Sequence, residues 1–222
     1  MTDLSFHYIT QDIPGISHET LALQACRAGA RLIQLRIKNQ PHAYITDVAR
    51  AVREICRRHH ATLIINDYIH IAKEIDADGV HLGNSDMNHA SARKMIGDQK
   101  IIGGTAYTIS EASTLLSENI VDYIGIGAFK PTATKPEINN FLSLQDIRTI
   151  VKNRNAMQAK ARLIVLGGVK LHDIPELMQC GIDGIAAASL VTSNPHKEGL
   201  IASVYASIEA HRQTNATRQL QG

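Results

Sequence analysis

Eight short apolar runs recur along the chain, each followed by a longer stretch with helical spacing. The runs cover residues 6–10, 32–36, 61–66, 79–82, 100–104, 121–125, 162–166 and 184–188. They are apolar at successive positions rather than at every second one, the pattern of parallel strands buried on both faces. Between residues 41 and 60, Ile45, Val48, Val52 and Ile55 fall on one helical face; Leu200, Ile201, Val204 and Ile208 repeat that pattern near the end. Further helices are expected over 19–29, 69–76, 89–96, 143–155 and 172–180. Thr108 followed by Glu111 has the spacing of a capping box that opens a helix after the fifth strand.

Eight βα units predict an α/β fold, a single (β/α)8 TIM barrel over residues 1–212 and at the small end of that fold's range. The polar stretch 213–222 lacks an apolar face and is expected to form a flexible tail. A doubly wound open sheet shares the same alternation, but no GxGxxG follows the first run and no GxxxxGK[ST] occurs.

Composition alters this picture little. The chain is 44% hydrophobic and 20% charged, with a formal net charge of +2 and basic residues scattered along it, so no nucleic-acid face is expected. No apolar run approaches the roughly 20 residues of a membrane-spanning helix. The segment Met1-Thr2-Asp3-Leu4-Ser5 has neither a basic start nor an apolar core, so no signal peptide and a cytoplasmic location are expected. Cys26, Cys56 and Cys180 form no CxxC pair and are expected to be reduced and buried.

The unusual polar residues and glycines gather just after the runs, where barrels of this class build their active sites. The second run ends in Gln34-Leu35-Arg36-Ile37-Lys38, and alternation sends the amide and both cations to one side, a clamp for phosphate or diphosphate. The third run ends in Asn66-Asp67, and the fourth leads through Gly83-Asn84-Ser85 to Asp86. Two carboxylates after neighbouring strands can converge on one hard cation; each alone is as readily a turn or helix cap. His81, with no partner nearby in sequence, is expected to be a packed structural residue. The sixth run opens into Gly125-Ile126-Gly127 and a loop carrying Pro131, Thr132, Thr134 and Lys135, long enough to be functional. Gly167-Gly168 and Ala188-Ser189 follow runs seven and eight, where backbone N–H groups hold phosphate in this fold.

In series, QLRIK, LIINDY, ADGVHLGNSDM, IIGGTA, DYIGIGAFKPTATK, LGGV and GIDGIAAAS resemble the thiamine-phosphate synthase family from about Gln34 to Ser189. The resemblance implies a transferase that condenses a phosphorylated pyrimidine and a phosphorylated thiazole by dissociative substitution. It implies that Gln34, Arg36, Lys38, Asn66, Thr105 and Lys135 hold the aminopyrimidine diphosphate, with Arg36, Lys38 and Lys135 catalytic. Asp67 and Asp86 would bind Mg2+, and Thr132, Thr134, Gly167, Gly168, Ala188 and Ser189 would hold the thiazole phosphate. The partners are then small molecules, not nucleic acid or membrane, with self-assembly left open. Three positions depart from the family pattern: Tyr68 where arginine is frequent, Thr105 for serine, and Ala128 for proline. Two alternatives remain, a thiazole tautomerase-like isomerase on the same barrel and a non-catalytic binder of thiamine intermediates.

Overall fold

The apolar runs form eight parallel strands: β1 (Phe6–Ile9), β2 (Leu32–Leu35), β3 (Thr62–Asn66), β4 (Gly79–Leu82), β5 (Ile101–Ala106), β6 (Tyr123–Ile126), β7 (Arg162–Leu166) and β8 (Gly184–Ala187). Each bonds to the next in sequence order and β8 pairs back onto β1, closing a barrel. This computed structural model describes residues 2–131 and 140–219, with side chains described to residue 212. The outer layer consists of α1 (His18–Arg27), α2 (His42–Arg58), α3 (Ile69–Glu74), α4 (His89–Ile96), α5 (Ile109–Glu118), α6 (Leu144–Ala156), α7 (Ile174–Gln179), α8 (Ser189–Thr192) and α9 (Lys197–Gln219).

Strand alternation divides the core in two. Outward residues such as Ile33, Leu35, Leu63, Ile65, Ile124 and Val165 pack with the helices in one large apolar cluster. Inward residues Leu4, Leu32, Ile64, Tyr123, Ile164 and Ala186 fill the barrel itself. Continuous apolar strands are therefore what two buried faces demand. Position 103 is glycine because the Tyr123 ring fills the space on its inward side: a Cβ there would lie 2.1 Å from that ring.

Several boundaries differ from expectation. β5 reaches Ala106, because Thr105 and Ala106 pair with Gly125 and Ile126. The expected helix over 172–180 begins as a 3-10 turn, Leu171–Asp173, before α7 starts with Pro175 in its first turn. α8 was not anticipated, since four residues are too few to show periodicity. α9 continues to Gln219, so the segment expected as a tail from residue 213 is helical that far. The Thr108–Glu111 capping box is present as expected.

One repeated device staples the barrel at the N-terminal ends of its strands. Asp78, directly before β4, accepts from the Leu63 N–H of β3 at 2.7 Å and from Arg53 of α2 at 3.0 Å. Asp122, before β6, accepts from the Ile102 N–H of β5 at 2.7 Å and from Arg93 of α4 at 2.8 Å. Asp183, before β8, accepts from the Leu163 N–H of β7 at 2.8 Å and from Arg154 of α6. Each aspartate thus satisfies a strand donor and an arginine from the helix outside.

Candidate active site

The C-terminal ends of the strands open onto one cavity. Its lining includes Ile9, Gln34, Arg36, Asn66, His81, Thr105, Leu166 and Ala186, the inward residues at the mouth, and its far wall is Gly167–Val169 with Ala187–Leu190. Gln34, Asn66 and Thr105 are buried, so their polar groups face the cavity floor rather than bulk water.

On one side, Lys38 forms an ion pair with the Asp67 carboxylate, which also accepts from the Asn66 amide. Asp67 has a φ of +66°, a left-handed turn that aspartate tolerates better than most residues and that redirects the chain after β3. Asp86 accepts the Gly83 N–H at 2.7 Å. Burial pushes the Asp86 carboxyl above the usual carboxylate range; the Gly83 N–H opposes that shift, and the facing Asp67 carboxyl adds to it. The two carboxylates therefore face each other. Such a sparse, hard-oxygen pair fits a cation that completes its shell with water and substrate phosphate. Among the described residues, no group of three or more His, Cys, Asp or Glu is placed to hold a metal.

Arg36 is held from behind. Its N–H donates to the Thr10 hydroxyl at 3.1 Å. Thr10 lies 2.8 Å from Nδ1 of His18, whose Nε2 is 3.1 Å from the Asp12 carboxylate. A carboxylate only accepts, so Nε2 carries the proton and, in the neutral ring, Nδ1 accepts from Thr10. This chain, buried at Thr10 and His18 and reaching the surface at Asp12, fixes the strand end from which Arg36 projects.

The opposite wall is backbone. Gly167 and Gly168 have φ values of +89° and +64°. A Cβ on Gly168 would meet the Pro131 carbonyl at 2.7 Å, so glycine is what lets the segment after β6 lie against the segment after β7. Phe129 N–H donates to Leu166 C=O at 2.9 Å, Lys130 N–H to Gly167 C=O at 3.0 Å, and Lys130 pairs with Asp173 at 2.5 Å. Ser189 opens α8 on the same wall. Thr132, Thr134 and Lys135 lie outside the described residues.

His81 is buried as expected, but it is part of the cavity lining, and its partners come from other strands. Nδ1 lies 3.0 Å from the Tyr123 hydroxyl and Nε2 2.7 Å from the Thr105 hydroxyl. Inward parity with Gln34, Asn66 and Thr105 was the available signal in the sequence; separation along the chain hid the partners. Cys26, Cys56 and Cys180 are free and buried.

The family model described as thiamine monophosphate synthase matches residues 7–191. A protein named thiamine-phosphate synthase from Flavobacterium psychrophilum is 39% identical over 178 residues, covering 80% of this chain and 86% of that one. Another of the same name from Methanospirillum hungatei is 36% identical over 195 residues, covering 87% and 92%. Among solved structures, thiamine phosphate pyrophosphorylase from Pyrococcus furiosus superposes with a TM-score of 0.81 at 28% identity, covering 95% of this chain and 98% of that one. With that match spanning the barrel and the cavity at its mouth, the chain belongs to the thiamine monophosphate synthase family.

Proposed function

We propose that this barrel is a Mg2+-dependent thiamine-phosphate synthase. It joins 4-amino-2-methyl-5-(diphosphooxymethyl)pyrimidine to 4-methyl-5-(2-phosphooxyethyl)thiazole, forming thiamine phosphate and releasing diphosphate. The observation that carries the reading is the cavity at the strand ends: Gln34, Arg36 and Asn66 line one side, beside the Lys38–Asp67 pair that Asp86 faces, and Gly167, Gly168 and Ser189 line another wall.

Diphosphate leaves the pyrimidine methylene, and the thiazole nitrogen attacks the resulting cation. No group has to abstract a proton for the carbon–nitrogen bond to form, so the amides, hydroxyl and imidazole of Gln34, Asn66, Thr105 and His81 at the floor need only bind and orient. Arg36 and Lys38 neutralise charge on the departing diphosphate, and Lys135 is assigned the same task from its loop. Gln34, Asn66 and Thr105 orient the aminopyrimidine. Thr132, Thr134, Gly167, Gly168, Ala188 and Ser189 hold the thiazole phosphate, so both reactants are bound before the bond breaks. When bound at Asp67 and Asp86, Mg2+ supplies further positive charge to the leaving diphosphate. Lys38, now paired with Asp67, is placed to exchange that partner for phosphate oxygens.

Both substrates incubated with and without Mg2+ should give thiamine phosphate only with the metal, and excess EDTA should abolish it. Asp67→Asn or Asp86→Asn should lower the rate at least ~10-fold, about 1.4 kcal/mol in the barrier. Undiminished product in excess chelator overturns the metal assignment. Isomerised thiazole without condensation indicates the tautomerase, and binding without turnover a non-catalytic role.

A further inference from the structure

At the cavity floor, four side chains from four strands meet in one chain of polar contacts inside the barrel. The Gln34 amide of β2 acts on the Tyr123 hydroxyl of β6 as a side-chain hydrogen-bond partner, opposing the upward pKa shift that burial gives the phenol. Tyr123 lies 3.0 Å from Nδ1 of His81 on β4, and Nε2 of His81 lies 2.7 Å from the Thr105 hydroxyl on β5. The Tyr123 and His81 rings stack, with centroids 5.5 Å apart and planes 18° from parallel. Gln34, His81 and Thr105 line the cavity, whereas Tyr123 is only 1% exposed and lies below it.

A neutral imidazole has one ring nitrogen that donates and one that accepts. That constraint polarises the whole chain. If Gln34 donates to the phenol oxygen, the phenol donates to Nδ1 and Nε2–H donates to Thr105. The Gln34 carbonyl and the Thr105 O–H then remain for the cavity. If the chain runs the other way, Thr105 donates to Nε2, Nδ1–H donates to the phenol, and the phenol donates to the Gln34 carbonyl. The Gln34 NH2 and a Thr105 lone pair then remain. In both directions one end offers a donor and the other an acceptor.

We propose that Tyr123 and His81 are positioning residues that couple Gln34 to Thr105, so that the floor always presents one donor and one acceptor. An aminopyrimidine edge carries the complement, a ring nitrogen that accepts beside an amino group that donates. The pair therefore sets recognition of that edge without Tyr123 touching the substrate. This inference rests on the function proposed above.

Its test is a double-mutant cycle between a protein hydroxyl and a substrate amino group. The pyrimidine diphosphate and its analogue with hydrogen in place of the 4-amino group are compared by Kd, measured without the thiazole phosphate so that no condensation occurs, in the unmodified chain and in Tyr123→Phe. We expect the unmodified chain to prefer the amino substrate at least ~30-fold, because a buried site built to hydrogen-bond rejects a ligand lacking the group. In Tyr123→Phe that preference should fall below ~5-fold, while KM for the thiazole phosphate stays unchanged. His81→Gln, which keeps a partner for Thr105 and loses the one for Tyr123, should lower it likewise and serves if the phenylalanine variant does not fold. A purely structural role lowers Tm and leaves the preference intact; an unchanged preference in a folded variant overturns the inference. A wild-type chain that condenses neither pyrimidine overturns the proposed function, and this inference with it.

Discussion

Lys38 and the two aspartates interact at the level of single charges. Lys38 is the cation that keeps Asp67 paired while Asp86 faces the same carboxylate. Removing it leaves two converging carboxylates uncompensated and takes one charge from the proposed diphosphate site. Lys38→Ala should therefore weaken the pyrimidine diphosphate at least ~10-fold, about 1.4 kcal/mol. The thiazole phosphate, which we propose is held on the opposite wall by Gly168 and Ser189, should bind as before. Separate calorimetric titrations with each ligand check this, and an equal fall in both affinities contradicts the partition of the cavity into two phosphate sites. Of the residues concerned, Gln34, Arg36, Lys38, Asp67 and Asp86 were legible in the sequence because polar side chains at strand ends stand out against apolar runs. Tyr123 was not, since a tyrosine within an apolar strand reads as core.

At the scale of elements, the aspartate before each of β4, β6 and β8 ties a strand to its neighbour and to a helix. The carboxylate of Asp183 holds the Leu163 N–H at 2.8 Å together with Arg154, and these side chains are only partly exposed, 29% for Asp183 and 17% for Arg154. Loss of the aspartate strands a strand donor and a cation together; loss of the arginine leaves the N–H satisfied. Asp183→Ala should cost about 2 kcal/mol, the range for an unsatisfied buried donor. Arg154→Met should cost less, about 1 kcal/mol, as partly exposed ion pairs do. Urea denaturation with unchanged m-values measures both, and the reverse order would assign the staple to the ion pair instead of the strand N–H. The same devices explain why the start of β6 shifted from the expected 121 to Tyr123: Asp122 is spent on the staple and does not continue the strand.

The closed barrel as a whole buries a histidine. His7 points inward beside Tyr123, with ring centroids 4.7 Å apart, and its Nε2 lies 3.0 Å from the Leu4 carbonyl. Nδ1 has no hydrogen-bond partner among the described residues. Burial holds its pKa down to about 4, against 6.5 for the free side chain. Its folded pKa is depressed, so between pH 6.5 and 4 the unfolded chain takes up the proton and the folded chain resists it. Stability is lost as pH falls through that window, by about 3 kcal/mol from this residue alone. His7→Gln should remove that share of the acid loss, read as a smaller drop in urea midpoint between pH 7 and pH 4.5. An equal drop in both proteins would place the acid sensitivity elsewhere.

Eight parallel strands, their helices and the side of the barrel that carries chemistry follow from the sequence alone, because burial on both faces and polar strand ends leave a local mark at each element. The four-residue α8 does not, because it is too short to show periodicity, and the stapling aspartates do not, because their partners are distant in sequence. The chain from Gln34 through Tyr123 and His81 to Thr105 is the clearest case. Its members lie on four strands, and only the inward turn of alternate residues, with Gly103 leaving room for the tyrosine ring, brings them together.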